Sequence, residues 1–413
     1  MARIHLTWIL GFLAAAPAHA SIEDFETWDI GAEEGDDEYG LDSYFLSFSP
    51  EWESEWIRAP EGARSSMGST VNEVWEMRNE IRLLRDLSPN LRFAYSFVQN
   101  EGLTIDDEQH CVGLEVERGG FWFGPFARPS SSKERLDAGL VARRAWDSGG
   151  RIDVSYSFED WNSDHTNGRS TVEGRTVVDF IDPAREWRVG ARQVWRSSRW
   201  IAVESAWLGE FRRDIEPPAA SGEAPLRRVT GGNQVTLRGQ IDPAENVILD
   251  FLAERKESRV ADFPELLGTA SDLRRDAWKV RTRLSHPLPA DFLGRWGIQV
   301  REGRERDVAP SSEPYRLELD DVVATAGVRR RVTGALTAEV GYGHQVTHVE
   351  QSGPDSLQRF SWGTRTENRL YLIAELRAAG LAFRFIETIE LDDEGYDAVS
   401  DHDKGFLQIQ AGF

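Results

Sequence analysis

From residue 73 onward, apolar residues recur at alternate positions and charged residues fill the gaps. Trp75, Met77, Ile81 and Leu83 interleave with Glu76, Arg78, Glu80 and Arg82. A strand sends successive side chains to opposite faces, so this period of two describes a sheet with one oily face and one ionic face. An amphipathic helix would space its apolar residues three and four apart, which these segments do not do. Arg or Lys turned toward hydrocarbon costs roughly 2–4 kcal/mol at mid-depth. The ionic face must therefore meet water or its own counter-charges.

The pattern recurs in units of strand, turn, strand. Ser88-Pro-Asn90 precedes Leu91, Phe93, Tyr95 and Phe97, and Gly119-Gly120 joins Val112/Leu114/Val116 to Phe121-Trp-Phe123. Asp147-Ser-Gly-Gly150, Asp242-Pro243, Pro287 to Asp291, Thr333-Gly334 and Ala378-Ala-Gly380 mark further hairpins. Longer polar stretches separate the hairpins, at 100–108, 160–172, 213–231, 256–273, 303–314, 348–360 and 391–403. Short turns alternating with long polar segments are expected of a membrane barrel with a periplasmic and an extracellular rim. The fold expected is all-β: a transmembrane antiparallel up-and-down barrel spanning 73–413. Seventeen strands are clear if Arg196-Ser-Ser-Arg199 is a tight turn. An even count is needed when both ends lie on one side, so 18 strands are favoured, with a weak strand at 41–48 recruited, and 16 is the alternative. A secreted β-sandwich would also alternate, but would not carry so many charges at one parity.

The bulk properties narrow the function classes. Residues 1–20 combine Arg3, the apolar run Leu6 to Ala16 and Ala18-His-Ala20, the layout of a signal peptide cleaved near Ala20. No later apolar run approaches the roughly 20 residues of a spanning helix. The net charge of −22 argues against nucleic acid. Cys111 is the sole cysteine, so neither an internal disulfide nor a thiolate metal cluster can form. Residues 21–72 read as an acidic N-terminal periplasmic tail, largely disordered: Ser21 to Gly40 holds nine carboxylates and no Lys or Arg, and Ser65-Ser-Met-Gly-Ser69 has linker composition. A partner-binding segment anchored on Trp28, Trp52 and Trp56 is the alternative.

The final stretch, Lys404-Gly-Phe-Leu-Gln-Ile-Gln-Ala-Gly-Phe413, places Leu407, Ile409, Ala411 and Phe413 on one face. With the signal peptide and the hairpin texture, it resembles the porin-type outer-membrane barrels of Gram-negative bacteria, among them the 16–18-stranded sugar-porin and alginate-export types. The resemblance implies that those four residues form the assembly signal. It also implies outer-membrane lipid, the barrel-assembly machinery and a small hydrophilic solute as partners. It assigns no cofactor and no oligomeric state.

If the apolar parity faces lipid, the other parity faces the lumen, and there basic residues outnumber acidic ones. Arg78, Arg82, Arg143, Arg192, Arg238, Lys279, Arg281, Arg283, Arg295 and Arg301 are the candidate pore-lining residues. Two readings stay open: Arg and Glu brace a general diffusion pore, or the Arg excess selects anions. Candidate constrictions are 160–185, 213–231 and 256–273. A structural or plugged barrel and a polysaccharide exporter remain as alternatives. An outer-membrane phospholipase is disfavoured, because His165-Thr-Asn167 places Asn where the nucleophilic Ser would stand. No catalytic or metal site is expected, and the chain reads as a non-enzyme.

Overall fold

In a computed structural model, the described residues are 61–70, 75–101, 106–129, 136–159, 177–196, 198–216, 224–264, 270–309, 315–353, 363–391 and 404–412. Among them, the first part of the chain forms β1 (Gly62–Thr70), β2 (Trp75–Ser88), β3 (Leu91–Glu101), β4 (Asp106–Arg118) and β5 (Phe121–Pro129). Next come β6 (Leu136–Ala145), β7 (Gly150–Glu159), β8 (Val177–Phe180), β9 (Ala184–Arg196) and β10 (Arg199–Glu216). Then follow β11 (Leu226–Ala244), β12 (Val247–Pro264), β13 (Ser271–Leu288), β14 (Phe292–Asp307) and β15 (Tyr315–Arg331). The last are β16 (Leu336–Ser352), β17 (Thr364–Ala378), β18 (Leu381–Glu390) and β19 (Lys404–Gly412).

Each strand pairs antiparallel with its neighbours, and β1 pairs with β19 to close the sheet. The short β8 lies beside β10 just beyond the end of β9, so both occupy one place in the ring. The nineteen segments therefore make an 18-stranded closed barrel. The favoured strand number holds, but the added strand is Gly62–Thr70 rather than 41–48, which lies outside the described residues. Ser65 to Ser69 is thus a wall strand and not a linker, and the barrel begins before residue 73. Its small residues have a local cause. A Cβ on Gly68 would sit 2.4 Å from the Phe406 ring, so a side chain there would push that buried ring aside.

Turn chemistry follows the backbone. Gly119 and Gly120 have φ of 65° and 80°, and Ala379 and Gly380 have 52° and 80°. Two successive positive φ values give the hairpin geometry whose twist matches the strands. The turn after β11 sits at Glu245-Asn246, with a register shift between Ile241 and Ala244 that absorbs Asp242-Pro243.

On the outside, Leu140, Trp187, Trp207, Trp296, Ile298, Val340, Leu372 and Phe385 are exposed. An unpartnered apolar belt on a closed sheet is the arrangement of a transmembrane barrel. Both faces rise above that belt on one arc. Strands β10–β16 run 16 to 19 residues, beyond the roughly 9–11 that cross hydrocarbon. The described residues of the expected loops 213–231, 256–273 and 303–314 are therefore mostly strand, as are 348–352. Their described parts are not inward-folded constrictions; residues 160–176, 217–223 and 265–269 lie outside the described set. The alternation of oil and charge vanished there because both sides of the wall are wet.

The extended wall is laced by outward ion pairs. Arg212 reaches Asp182 at 2.6 Å, Arg227 reaches Asp214 at 2.8 Å, and Arg259 reaches Asp272 at 2.8 Å and Glu210 at 2.7 Å. The hydrogen bond from Arg259 holds the Asp272 carboxyl below its ordinary range. A depressed folded pKa stabilises above the unfolded value of about 3.9 and is lost as pH falls through the folded value. Asp272→Asn should therefore lower stability at pH 7 by about 1 kcal/mol or less. The difference from wild type should shrink as pH falls below the ordinary carboxylate range, as read in urea titrations at pH 7 and at successively lower pH.

A second prediction concerns β4 and β5. Pairing lapses between Gly113↔Phe126 and Val116↔Phe123, where Pro125 lacks an N–H. A Cβ on Gly124 would lie 1.8 Å from the Leu114 carbonyl oxygen. Gly124→Ala should cost on the order of 3 kcal/mol or block folding, read as loss of the compact, heat-modifiable gel band. Gly334→Ala, in open space, should leave that band intact.

Candidate functional site: the arginine-lined lumen cavity

Inward parity brings charge from separate hairpins to one place. Cys111, Gly113 and Glu115 face inward from β4, Phe126 and Arg128 from β5, and Val141 and Arg143 from β6. Arg151 and Asp153 come from β7, Arg188 and Arg192 from β9, and Arg82 from β2. Together they surround a cavity of about 100 Å³. A Cβ on Gly139 would be 2.4 Å from Phe126, so that glycine lets the ring lie flat against β6 beneath the charges.

Six arginines line this cavity against two carboxylates, Glu115 and Asp153. Arg143 Nε is 3.2 Å from Glu115 and 3.6 Å from Asp153. Arg151 donates to Asp153 at 2.6 Å. Just outside the lining, Glu80 takes Arg82 at 2.8 Å and Arg64 at 2.7 Å, and Glu186 takes Arg188 and, at 3.8 Å, Arg128. Arg192 stands near Arg82, Arg151 and Asp153 without a hydrogen bond or ion pair to a described residue. Both oxygens of Glu115 and the Nε of Arg143 also make no hydrogen bond. Positive potential concentrated between low-dielectric walls draws anions, and the unused hydrogen-bonding atoms favour a polar occupant.

The sequence-derived candidates divide between this cavity and the rest of the wall. Arg82, Arg143 and Arg192 meet in it. Arg78 is exposed on β2. Across the barrel, Arg238 donates to Glu204 at 2.5 Å, Arg295 pairs with Glu339 at 2.9 Å, and Lys279 is 3.9 Å from Glu254. Arg281 donates to Gln299, Arg283 lies opposite Asp250, and Arg301 lies opposite Asp321. Leu407, Ile409 and Ala411 turn outward on β19, while Phe413 and His165 are outside the described residues. His344 and His348 bond Asn368 and Thr364 on the outer face. Arg128 and Arg151 were not among the candidates. Extending the parity of Phe121 and Phe123 through Pro125, and counting back from Asp153, would have found them.

The interior also holds apolar residues that the alternation did not mark. Val323, Tyr371, Ile373, Ile386 and Phe406 form a buried cluster on β15–β19, with Leu252 of β12 packed against it. That side of the lumen is filled rather than lined.

No protein-family model matches the chain, and no curated protein matches it. Among solved structures, CdiB from Acinetobacter baumannii aligns with a TM-score of 0.41 and 9% identity over 86% of this chain and 60% of that one. The chain thus spans about three-fifths of CdiB. Acinetobacter baumannii OccAB3 aligns at TM-score 0.39 and 9% identity, covering 86% of this chain and 99% of that one. Pseudomonas aeruginosa OprD aligns at 0.39 and 11%, covering 88% and 97%. Likenesses of this size identify neither solute nor activity.

Glu115 is fully buried, and removing its partner strands a charge. Arg143→Met should destabilise by about 3 kcal/mol, and Glu115→Gln added to it should restore most of the loss. Equilibrium unfolding of both variants in detergent checks this.

Proposed function

We propose that the protein is an outer-membrane channel of narrow bore that passes small hydrophilic solutes passively and favours anions. The supporting observation is the cavity with six arginines and two carboxylates inside a closed, lipid-belted wall. The protein works without a catalytic step, because transport through a fixed lumen needs only a polar path and a favourable potential. In this reading the chain enters the wall at Gly62 on the side of the tight turns, and Leu407, Ile409, Ala411 and Phe413 present the assembly signal.

A plugged structural barrel is the second reading. It is favoured by the apolar cluster on β15–β19 and by inward charges such as Arg281 and Arg384, at 2% and 1% exposure. Planar-bilayer recording separates the two. A channel gives steady unitary currents, and in a salt gradient its reversal potential shifts toward the anion. Arg192→Glu should abolish or invert that shift while leaving conductance measurable. Cation preference in the wild type would overturn the anion reading, and absence of current with or without residues 21–60, a deletion that keeps β1, would favour the plugged barrel.

A further inference from the structure

The outward arginines differ between the two rims. On the extended wall Arg212, Arg227, Arg255 and Arg259 each sit in an ion pair. At the rim of tight turns several outward arginines lie over aromatic rings, and of these only Arg199 also has an ion pair, with Asp242 at 3.9 Å. The Arg144 guanidinium lies 4.7 Å from the Phe121 ring centroid and 5.4 Å from that of Trp146. Arg330 lies 4.9 Å from the Phe292 ring and Arg199 5.9 Å from the Trp195 ring.

The cluster on β4–β6 is the most developed. Arg118 pairs in register with Phe121, and Phe121 shares its outward face with Arg144. The order around the barrel is therefore cation, ring, cation, with Trp146 beneath. Phe121 and Trp146 are 44% and 39% exposed. Neither Arg118 nor Arg144 makes a hydrogen bond or ion pair with a described residue. The Arg144 guanidinium lies over the Phe121 ring, Arg118 flanks the same ring by register, and a guanidinium's N–H donors form a fork that matches phosphate oxygens. Aromatic rings at this height sit at the boundary between hydrocarbon and headgroups. The two cations therefore lie where lipid phosphates lie.

We propose that the Arg118–Phe121–Arg144–Trp146 cluster is a binding site for the phosphate of an anionic phospholipid in the leaflet at the tight-turn rim. The rings seat against the upper acyl chain, and the two guanidiniums divide the phosphate oxygens between them. A net negative headgroup is favoured over a zwitterionic one because no ammonium then competes with the arginines for the phosphate oxygens. This rests on the membrane-barrel reading but not on solute passage.

The test is native mass spectrometry of the whole protein after reconstitution with equal amounts of phosphatidylethanolamine and phosphatidylglycerol. Wild type should retain phosphatidylglycerol several-fold above its share. R118Q/R144Q should cut that enrichment at least threefold, with the heat-modifiable band confirming a folded barrel. R212Q/R227Q, at the opposite rim, should leave it unchanged. Should the first double variant fail to fold, R144K alone, which keeps the charge and loses the fork, should reduce enrichment by a smaller factor. Retention of both lipids without preference, or equal loss in all variants, overturns the site. A protein that retains no lipid and stays out of vesicles overturns the barrel reading instead.

Discussion

Pairing of β1 with β19 is the constraint on which the structure depends. Nine residue pairs, from Gly62↔Gly412 to Thr70↔Lys404, join the two most distant strands of the described chain. Hydrocarbon offers no hydrogen-bond partner, so an open edge there would leave a row of N–H and C=O groups unsatisfied at several kcal/mol each. Closure removes that edge. It also separates the two solvents that the alternating residues need, because a sheet that does not close has no inside. Every later feature, from the apolar belt to the cavity, presupposes this seam, in which the bare backbone of Gly68 leaves room for the Phe406 ring.

Inside, balance of charge decides what each arc of the wall can do. On β10–β18 the cations are mostly consumed: Arg238 by Glu204, Arg295 by Glu339, Arg329 by Glu375. Apolar residues fill the remaining room. Such buried pairs contribute little net stability, yet removal of one member is costly, so they fix the wall's shape. At the cavity on β2–β9 two lining carboxylates face six arginines, with Glu80 and Glu186 just outside, and Arg192 has neither hydrogen bond nor ion pair with a described residue. The same chemistry thus braces one arc and gives the other an unbalanced field.

Much of this was legible in the residues. Alternation at 75–83, 91–97 and 152–158 placed strands because one face had to avoid water. The diglycine and Ala-Gly turns placed hairpins because positive φ restricts residue choice. Three things were not legible, each for a physical reason. The strand at 62–70 has a single large apolar residue, Met67, among small and polar ones, so it shows no alternation to read. The wall above the membrane lost its period because charge suits both of its faces. The meeting of Arg82, Arg143 and Arg192, and the apolar filling by Val323, Ile373 and Ile386, depend on curvature and on neighbours several strands away. Parity says which way a side chain points, not what it meets.

The unequal length of the strands shapes the approach to the mouth. Strands β1, β5, β6, β7, β18 and β19 have nine or ten residues, against as many as nineteen on the opposite arc. Among the described residues the wall is therefore uneven, with a parapet of interlocked ions on one flank and shorter strands on the other. The cavity is lined from β2–β7 and β9, away from that parapet. Under the proposed channel reading, the taller flank meets an approaching ion with charges already paired to one another, so it adds little pull of its own.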